Sequence, residues 1–248
     1  AEYGGGGAAR LIDWNLTARS DRPFVREAHQ ERGLDVWLLI DGSRSLEWGT
    51  TRALKRDAAR EMVDLITMLL SRHGSRVGAI VFDNQVRQVF PLRGGRQGRL
   101  RLMSRIEAQR AVAATSGRTD LTTTLRDAAR LITRPSLIIV ISDFLVEPGW
   151  QRALKSLSIR HDVVAARVSD PREGDLPVIG VVTFEDPETG RQVEVDTTSR
   201  KLRERFRAAA AGRRDSLVAD IRSARAQLLE ISTAEPVINQ LIAYLRLR

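Results

Sequence analysis

The segment that most restricts the architecture reads Val36-Trp37-Leu38-Leu39-Ile40-Asp41-Gly42-Ser43-Arg44-Ser45. Its first five residues are wholly apolar and have the length of a strand that is buried on both faces. A carboxylate and two hydroxyls follow immediately, at Asp41, Ser43 and Ser45. Open α/β folds bind their ligands at the carboxyl edge of the sheet. We therefore expect a binding site where this strand ends.

Short apolar runs of this kind recur along the chain and alternate with longer stretches of helical period. This alternation predicts a doubly wound, Rossmann-like α/β fold, in which a mostly parallel sheet is covered by helices on both faces. We predict strands over residues 36–40, 77–82, 86–90, 137–141 and 163–168, and helices over residues 51–70, 121–132 and 150–157. The loop between the second and third strands is too short for a crossover helix, so the third strand is expected to be an antiparallel edge strand.

The sequence changes in character after residue 170. Two short apolar runs, residues 178–184 and 192–195, flank a turn signal that contains Pro187 and Gly190, and predict a second hairpin. Two Arg-rich helices are expected from Ser199 to about Leu229, broken near Gly212, and Pro236 opens a last helix. We divide the chain into an N-terminal arm (1–35), the main α/β domain (36–170), and a hairpin and helical extension packed on it (171–248).

A second predicted strand also ends in a carboxylate, Asp143, and a loop between the two strands offers the hydroxyl of Thr119. Carboxylate and hydroxyl oxygens are hard ligands that suit Mg²⁺ or Mn²⁺. The predicted metal ligands are Asp41, Ser43, Ser45, Thr119 and Asp143. Taken singly, each has a plainer interpretation as a helix cap or a turn residue. Together they predict a divalent cation that keeps a ligand position for a carboxylate of a partner.

Neighbouring side chains are candidates for the rim that a partner touches. These are Arg44, Glu47, Trp48, Arg118 and Asp120. Trp48 has two open interpretations, as a rim residue or as an ordinary packing residue.

The chain of 248 residues contains no cysteine, which excludes disulfides, thiolate zinc sites and cysteine nucleophiles. Its three histidines are far apart and do not form a zinc-helix motif. A cytoplasmic location fits this composition. No apolar run is long enough to span a bilayer and no signal peptide is visible. Because the first residue is not methionine, we expect an upstream segment, so a membrane association through that segment or through partners stays open.

The formal charge is +9, and its distribution is uneven. Residues 87–110 contain seven basic residues and one acidic residue. Residues 200–248 contain eleven basic and five acidic residues. A solvated helix face, a dock for an acidic protein and a nucleic-acid site are all open interpretations of these segments. Aromatic residues that would stack on bases are nearly absent from them, with Phe206 the exception. All but three of the 40 basic residues are arginine, which codon bias would explain without any function; the lysines are Lys55, Lys155 and Lys201.

Hydrolase chemistry is not expected. Ser43, Asp143 and His161 follow the chain order of an α/β-hydrolase triad. However, Asp41 stands where the nucleophile elbow needs a glycine, and His161 precedes a strand instead of following one. We therefore expect a non-enzymatic protein.

The five predicted metal ligands together resemble the metal-ion-dependent adhesion site of von Willebrand factor A domains. All five positions match that motif. In that family the serines and the threonine contact Mg²⁺ directly or nearly so, the aspartates act largely through waters, and an acidic residue of a partner supplies the last ligand. The resemblance implies the same roles here.

A narrower resemblance, to the bacterial domain of unknown function 58 family, covers nearly the whole chain. The segments that carry it are Arg10-Leu11-Ile12-Asp13-Trp14-Asn15-Leu16-Thr17-Ala18-Arg19, Glu31-Arg32, Val77-Gly78 with Phe82, Arg93-Gly94-Gly95-Arg96, Thr119-Asp120-Leu121, Ser142-Asp143-Phe144, Asp170-Pro171-Arg172-Glu173 with Leu176-Pro177, and Val195-Asp196-Thr197. Members contain a von Willebrand factor A-like domain and are thought to act with MoxR-type AAA+ ATPases as chaperone or assembly factors. The resemblance implies that a MoxR-type ATPase or an acidic client is the partner.

Two positions depart from the family pattern. Gly7 and Ala8 stand where the family usually has an acidic pair, so any role of that pair is absent here. Leu46 replaces a methionine that is common after the second serine, a change that leaves the predicted ligands untouched.

Overall fold

The computed structural model describes residues 33–71, 74–109, 119–185 and 190–246. Its strands are β1 (Asp35–Asp41), β2 (Arg76–Phe82), β3 (Val86–Gly94), β4 (Leu137–Ser142), β5 (Asp162–Ser169), β6 (Val181–Glu185), β7 (Gln192–Asp196) and β8 (Gln227–Ser232). Its helices are α1 (Lys55–Ser71), α2 (Gly95–Gln109), α3 (Leu121–Leu131), α4 (Trp150–Ser158), α5 (Arg200–Ser223) and α6 (Val237–Arg246). Short 3₁₀ turns cover Arg44–Glu47 and Pro171–Glu173.

The central sheet has six strands in the order β3-β2-β1-β4-β5-β8. All neighbouring strands are parallel except β2 and β3, which form the expected antiparallel pair at one edge. The order reverses between β1 and β4, and the carboxyl ends of these two strands meet there. This is the switch point at which open α/β sheets bind ligands.

The central strands β1, β2 and β4 are buried on both faces, which explains why they are apolar runs, whereas the edge strand β3 is largely exposed and carries polar residues. On one face, strand residues such as Leu38 pack with Met62 of α1 and Leu102 of α2. On the other, Leu39 and its neighbours pack with the apolar faces of α3, α4 and α5. The expected doubly wound, mostly parallel fold is confirmed.

The C-terminal region differs from the prediction. The second Arg-rich helix was expected to run to about Leu229, but residues 227–232 form β8, which pairs in parallel with β5 and buries Leu229 and Ile231. Helix α5 ends at Ser223, and Arg225 adopts a left-handed conformation (φ 58°) that stops it. The predicted break near Gly212 is also wrong: α5 runs through this glycine, whose cost in a helix is only about 1 kcal/mol relative to alanine.

Other elements agree with the prediction to different degrees. Helix α1 begins at Lys55, four residues later than predicted, and α2 was not predicted at all. The second hairpin exists as a separate two-stranded sheet of β6 and β7. The sheet takes its sixth strand from the predicted extension, residues 171–248. Nearly all of the predicted arm, 1–35, lies outside the described residues and stays a prediction.

Within the described parts of the chain, no helix combines the length and the apolar character needed to cross a bilayer.

Candidate functional site

Asp41 ends β1 and is buried at the switch point of the sheet, with 4% of its surface exposed. Its Oδ1 accepts a hydrogen bond from the backbone N–H of Ser43 (2.9 Å), and its Oδ2 accepts one from the hydroxyl of Ser142 (2.6 Å) at the end of β4. Burial raises the pKa of Asp41 to about 7, helped by the charge of Asp143 and opposed by these hydrogen bonds. Burial and the neighbouring Asp143 therefore disfavour the ionised form of Asp41.

Ser43 and Ser45 turn their hydroxyls toward each other. The two Oγ atoms are 3.0 Å apart, and Ser43 is buried. Ser43 precedes the 3₁₀ turn, while the N–H of Gly42 donates to the carbonyl of Phe82 (2.7 Å) and fixes the loop against β2. The spacing of the two serines thus places both hydroxyls together just beyond Asp41.

Thr119 approaches the same edge from a different loop. The N–H of the next residue, Asp120, donates to the carbonyl of Asp83 (3.1 Å), directly after β2. Asp120 is the N-cap of α3, and its carboxylate accepts from the N–H and the hydroxyl of Thr123. The cap function therefore belongs to Asp120, and the buried Oγ1 of Thr119 has no hydrogen-bond partner among the described residues.

Asp143 follows β4 and is also buried. Its Oδ1 accepts from the N–H of Leu145 (3.0 Å), and its Oδ2 accepts from the ammonium of Lys55 (2.7 Å). Lys55 also donates to Glu173 (2.6 Å), which lies in the 3₁₀ turn after β5. Burial lowers the pKa of Lys55, but the two carboxylates raise it by more, so the lysine remains an ammonium. Phe144 holds a left-handed backbone (φ 57°) beside this cluster.

The predicted rim residues are distributed around this edge. Arg44 and Glu47 are exposed, and Glu47 pairs with Arg56 (3.2 Å). Trp48 is 37% exposed, and its ring lies beside the ammonium of Lys55, 5.9 Å from the ring centroid. Asp120 is occupied as a helix cap, and Arg118 lies outside the described residues.

The residues fit a hard divalent cation. Asp41, Asp143 and Glu173 against Lys55 give a formal charge of −2, which one divalent cation neutralises. A buried hydroxyl without a hydrogen-bond partner costs about 1–3 kcal/mol, so the Thr119 hydroxyl, which has none among the described residues, would gain from a ligand. Within the described ranges, no three His, Cys, Asp or Glu side chains form a metal cluster. Hydroxyls would therefore have to supply much of the coordination.

Sequence reasoning missed Lys55, Ser142 and Glu173 as parts of the site. Lys55 is one of only three lysines in a chain with 37 arginines, and this rarity is the one signal that could have indicated a special position. No sequence pattern places Glu173 beside Lys55, because the contact depends on the path of the loop after β5. His161 lies immediately before β5, at the sheet edge opposite Asp143, so Ser43, Asp143 and His161 do not meet.

The strand order, the antiparallel edge strand and the polar switch point define a von Willebrand factor A-like domain. The family model described as "Protein of unknown function DUF58" matches residues 1–216, and the chain belongs to that family.

Known proteins share this sequence and fold to different degrees. The chain is 35% identical to the protein Rv1480 of Mycobacterium tuberculosis over 248 residues, which cover 99% of this chain and 77% of that protein. An aerotolerance-related membrane protein from Bacteroides fragilis has a similar structure, with a TM-score of 0.58, 17% identity, and coverage of 86% of this chain and 98% of that one. The SpRpn10 VWA domain has a TM-score of 0.44, with 12% identity over 84% of this chain and 93% of its own.

Proposed function

We propose that this chain is a non-enzymatic, metal-dependent protein-binding module that holds an acidic side chain of a partner through a divalent cation, Mg²⁺ or Mn²⁺. The observation that carries the proposal is the buried hydroxyl of Thr119, which has no partner in the described part of the chain, at the sheet edge that also holds two buried carboxylates. A bound cation would supply a positive centre that accepts a further oxygen ligand from outside the protein.

The side chains at this site would have different roles in holding a cation. Ser43, Ser45 and Thr119 offer neutral oxygens, while Asp41 and Asp143 supply charge. Ser142 holds one carboxylate oxygen of Asp41 in place, and Lys55 does the same for Asp143. Both carboxylates share their negative charge with hydrogen-bond donors of the chain. A divalent cation bound beside them would therefore still attract a further anionic ligand. This arrangement favours binding of an acidic residue over activation of water, for which similar folds gather more acids.

Calorimetric titration of Mg²⁺ and Mn²⁺ into the wild-type chain, into Asp41→Ala and into the matched control Asp127→Ala tests the metal claim. Asp127 is on α3, where it forms a surface ion pair with Arg130 (3.0 Å). We expect binding heats for the wild type and the control and none for Asp41→Ala. Equal heats for all three proteins would refute the site.

We propose a MoxR-type AAA+ ATPase, or its acidic client, as the partner, on the basis of the family resemblance. A chaperone or assembly role would follow from that partnership. A pull-down of purified ATPase by the immobilised chain, with Mg²⁺ and then with chelator, tests it. Capture that depends on Mg²⁺ and fails with Asp41→Ala is the expected result; capture that ignores the chelator would contradict it.

Nucleic-acid binding is not favoured. The two Arg-rich segments lie toward opposite ends of the sheet, since α2 packs on β2 and β3 while α5 packs on β8. Several of their guanidinium groups also have partners within the chain, such as Arg99 with Asp64 and Arg207 with Asp175. Binding to generic duplex with a steep salt dependence would revive this alternative.

A further inference from the structure

Lys55 occupies a position that is unfavourable for a cation in two respects. It is the first residue of α1, where the helix dipole repels positive charge, and it is 1% exposed, so its ammonium has lost most of its hydration. Buried ion pairs stabilise a fold little or not at all in comparison with apolar side chains of the same size. The stability of the fold alone therefore does not account for a lysine at this place.

Glu173 is also placed at a cost. Its side chain is 16% exposed, and its Oε1 accepts a hydrogen bond from the ammonium of Lys55 (2.6 Å). Its Oε2 is buried and has no hydrogen-bond partner among the described residues, which is unfavourable for a carboxylate. Lys55 is its one ion-pair partner in the described part of the chain. The position of Glu173 is therefore explained by Lys55 and not by a network of its own.

These two residues have opposite effects on the candidate metal site. The ammonium of Lys55 donates to Oδ2 of Asp143 at 2.7 Å, which fixes one oxygen of a predicted ligand. The same positive charge would repel a divalent cation at this site. The carboxylate of Glu173 cancels that charge, so the cluster keeps the two negative charges of Asp41 and Asp143.

We infer that Lys55 positions Asp143 for the divalent cation and that Glu173 compensates the charge of Lys55, so that Asp143 is fixed without loss of attraction for the cation. This inference rests on the proposed function, because it concerns the same site. Both residues act through position and charge, and neither is a ligand. The inference gives a role to the 3₁₀ turn Pro171–Glu173, which supplies none of the five predicted ligands.

Calorimetric titration of the full chain with Mn²⁺ and with Tb³⁺ tests the inference, at about pH 7.5, above the pKa of about 7 that burial gives Asp41. Glu173→Gln leaves the charge of Lys55 uncompensated and should weaken Mn²⁺ binding about tenfold. Lys55→Met leaves the charge of Glu173 uncompensated and should strengthen it about tenfold. The double variant restores the charge of the wild type, so its affinity should return to within about threefold of the wild-type value.

The trivalent ion separates an effect of charge from a general loss of geometry. Electrostatic energy is proportional to the charge of the ion, so a tenfold change for Mn²⁺ corresponds to about thirtyfold for Tb³⁺. A merely structural role of the pair would weaken the binding of both ions in both single variants and leave the ratio of the two affinities constant.

A second ion pair offers a matched control. Arg76 and Asp35 pair at 2.7 Å at the amino ends of β2 and β1, away from the candidate site. Arg76→Met and Asp35→Asn make the same changes of charge about 20 Å along the sheet, beyond the Debye length of about 10 Å at 0.1 M salt. Each should change the Mn²⁺ affinity by less than about twofold.

The outcomes distinguish this inference from the proposed function. Wild-type binding that is lost with Asp41→Ala, together with unchanged or equally weakened binding in both single variants, would overturn the inference and leave the proposed function standing. Absence of binding in the wild type and every variant would overturn both, as would binding by Lys55→Met alone, because Lys55 would then replace the cation.

If Lys55→Met does not fold, Glu173→Gln decides, since it leaves the hydrogen bond of Lys55 to Asp143 in place. Weaker binding with the larger loss for Tb³⁺ supports the inference, and any other result overturns it.

Discussion

Replacing Lys55 by methionine removes the cation that joins Asp143 to Glu173. The lysine is 1% exposed, and its ammonium donates to the two carboxylates at 2.7 and 2.6 Å. Methionine fills most of the same volume, so the main loss is electrostatic. Breaking a buried pair in this way costs about 3–5 kcal/mol because the partner charges stay buried. With an m-value of about 3 kcal/mol per molar, the urea midpoint should fall by about 1–2 M.

The same variant should respond more strongly to metal than the wild type. Removing Lys55 changes the formal charge of the cluster from −2 to −3, which strengthens its attraction for a divalent cation. We expect saturating Mg²⁺ to raise the urea midpoint of Lys55→Met more than that of the wild type. Lys155→Met, at an exposed position on α4, should stay within about 0.5 kcal/mol of the wild type. A loss below about 1 kcal/mol, typical of a surface pair, together with no extra response to Mg²⁺, would refute the reasoning.

Three further predictions concern the fold around the site. Gly212→Ala should stabilise the protein by about 0.5–1 kcal/mol in urea unfolding, because an added Cβ meets nothing within 4 Å in the middle of α5; destabilisation would mean that the helix breaks there. Asp170→Ala should cost about 3 kcal/mol in the same assay, since it removes acceptors for Thr50 (N–H and hydroxyl) and Thr233, and a change below about 1 kcal/mol would contradict this. Burial and then the charge of Arg160 lower the pKa of His161, so the contribution of His161 to native stability should diminish as the pH drops below about 6.5; the stability difference between the wild type and His161→Gln should change over that range, and a constant difference would exclude this contribution.

The sequence allowed most of the sheet to be predicted because its central strands are buried on both faces and appear as unbroken apolar runs. Strand β8 was missed for a physical reason. No glycine or proline separates its residues from the Arg-rich helix before them, and the left-handed Arg225 between the two elements has no sequence signature. Pairing with the free edge of β5 then decides the conformation of residues 227–232.

The candidate site was predictable only in part. Asp41, Ser43 and Ser45 follow one strand, so their proximity can be inferred from spacing alone. Lys55 and Glu173 come from elements whose packing no local pattern encodes, and yet they set the charge around Asp143. Asp120, predicted as a rim residue, is instead the N-cap of α3, an outcome that depends on backbone geometry.

A crystal structure of the chain grown with Mn²⁺ tests the central claim most directly, because manganese can be located by its anomalous scattering. We expect a single strong peak in contact with the hydroxyl oxygens of Ser43, Ser45 and Thr119, with the Asp41 and Asp143 carboxylates around it. At saturating Mn²⁺, a site free of anomalous density, or a peak bound elsewhere on the chain, would contradict the account.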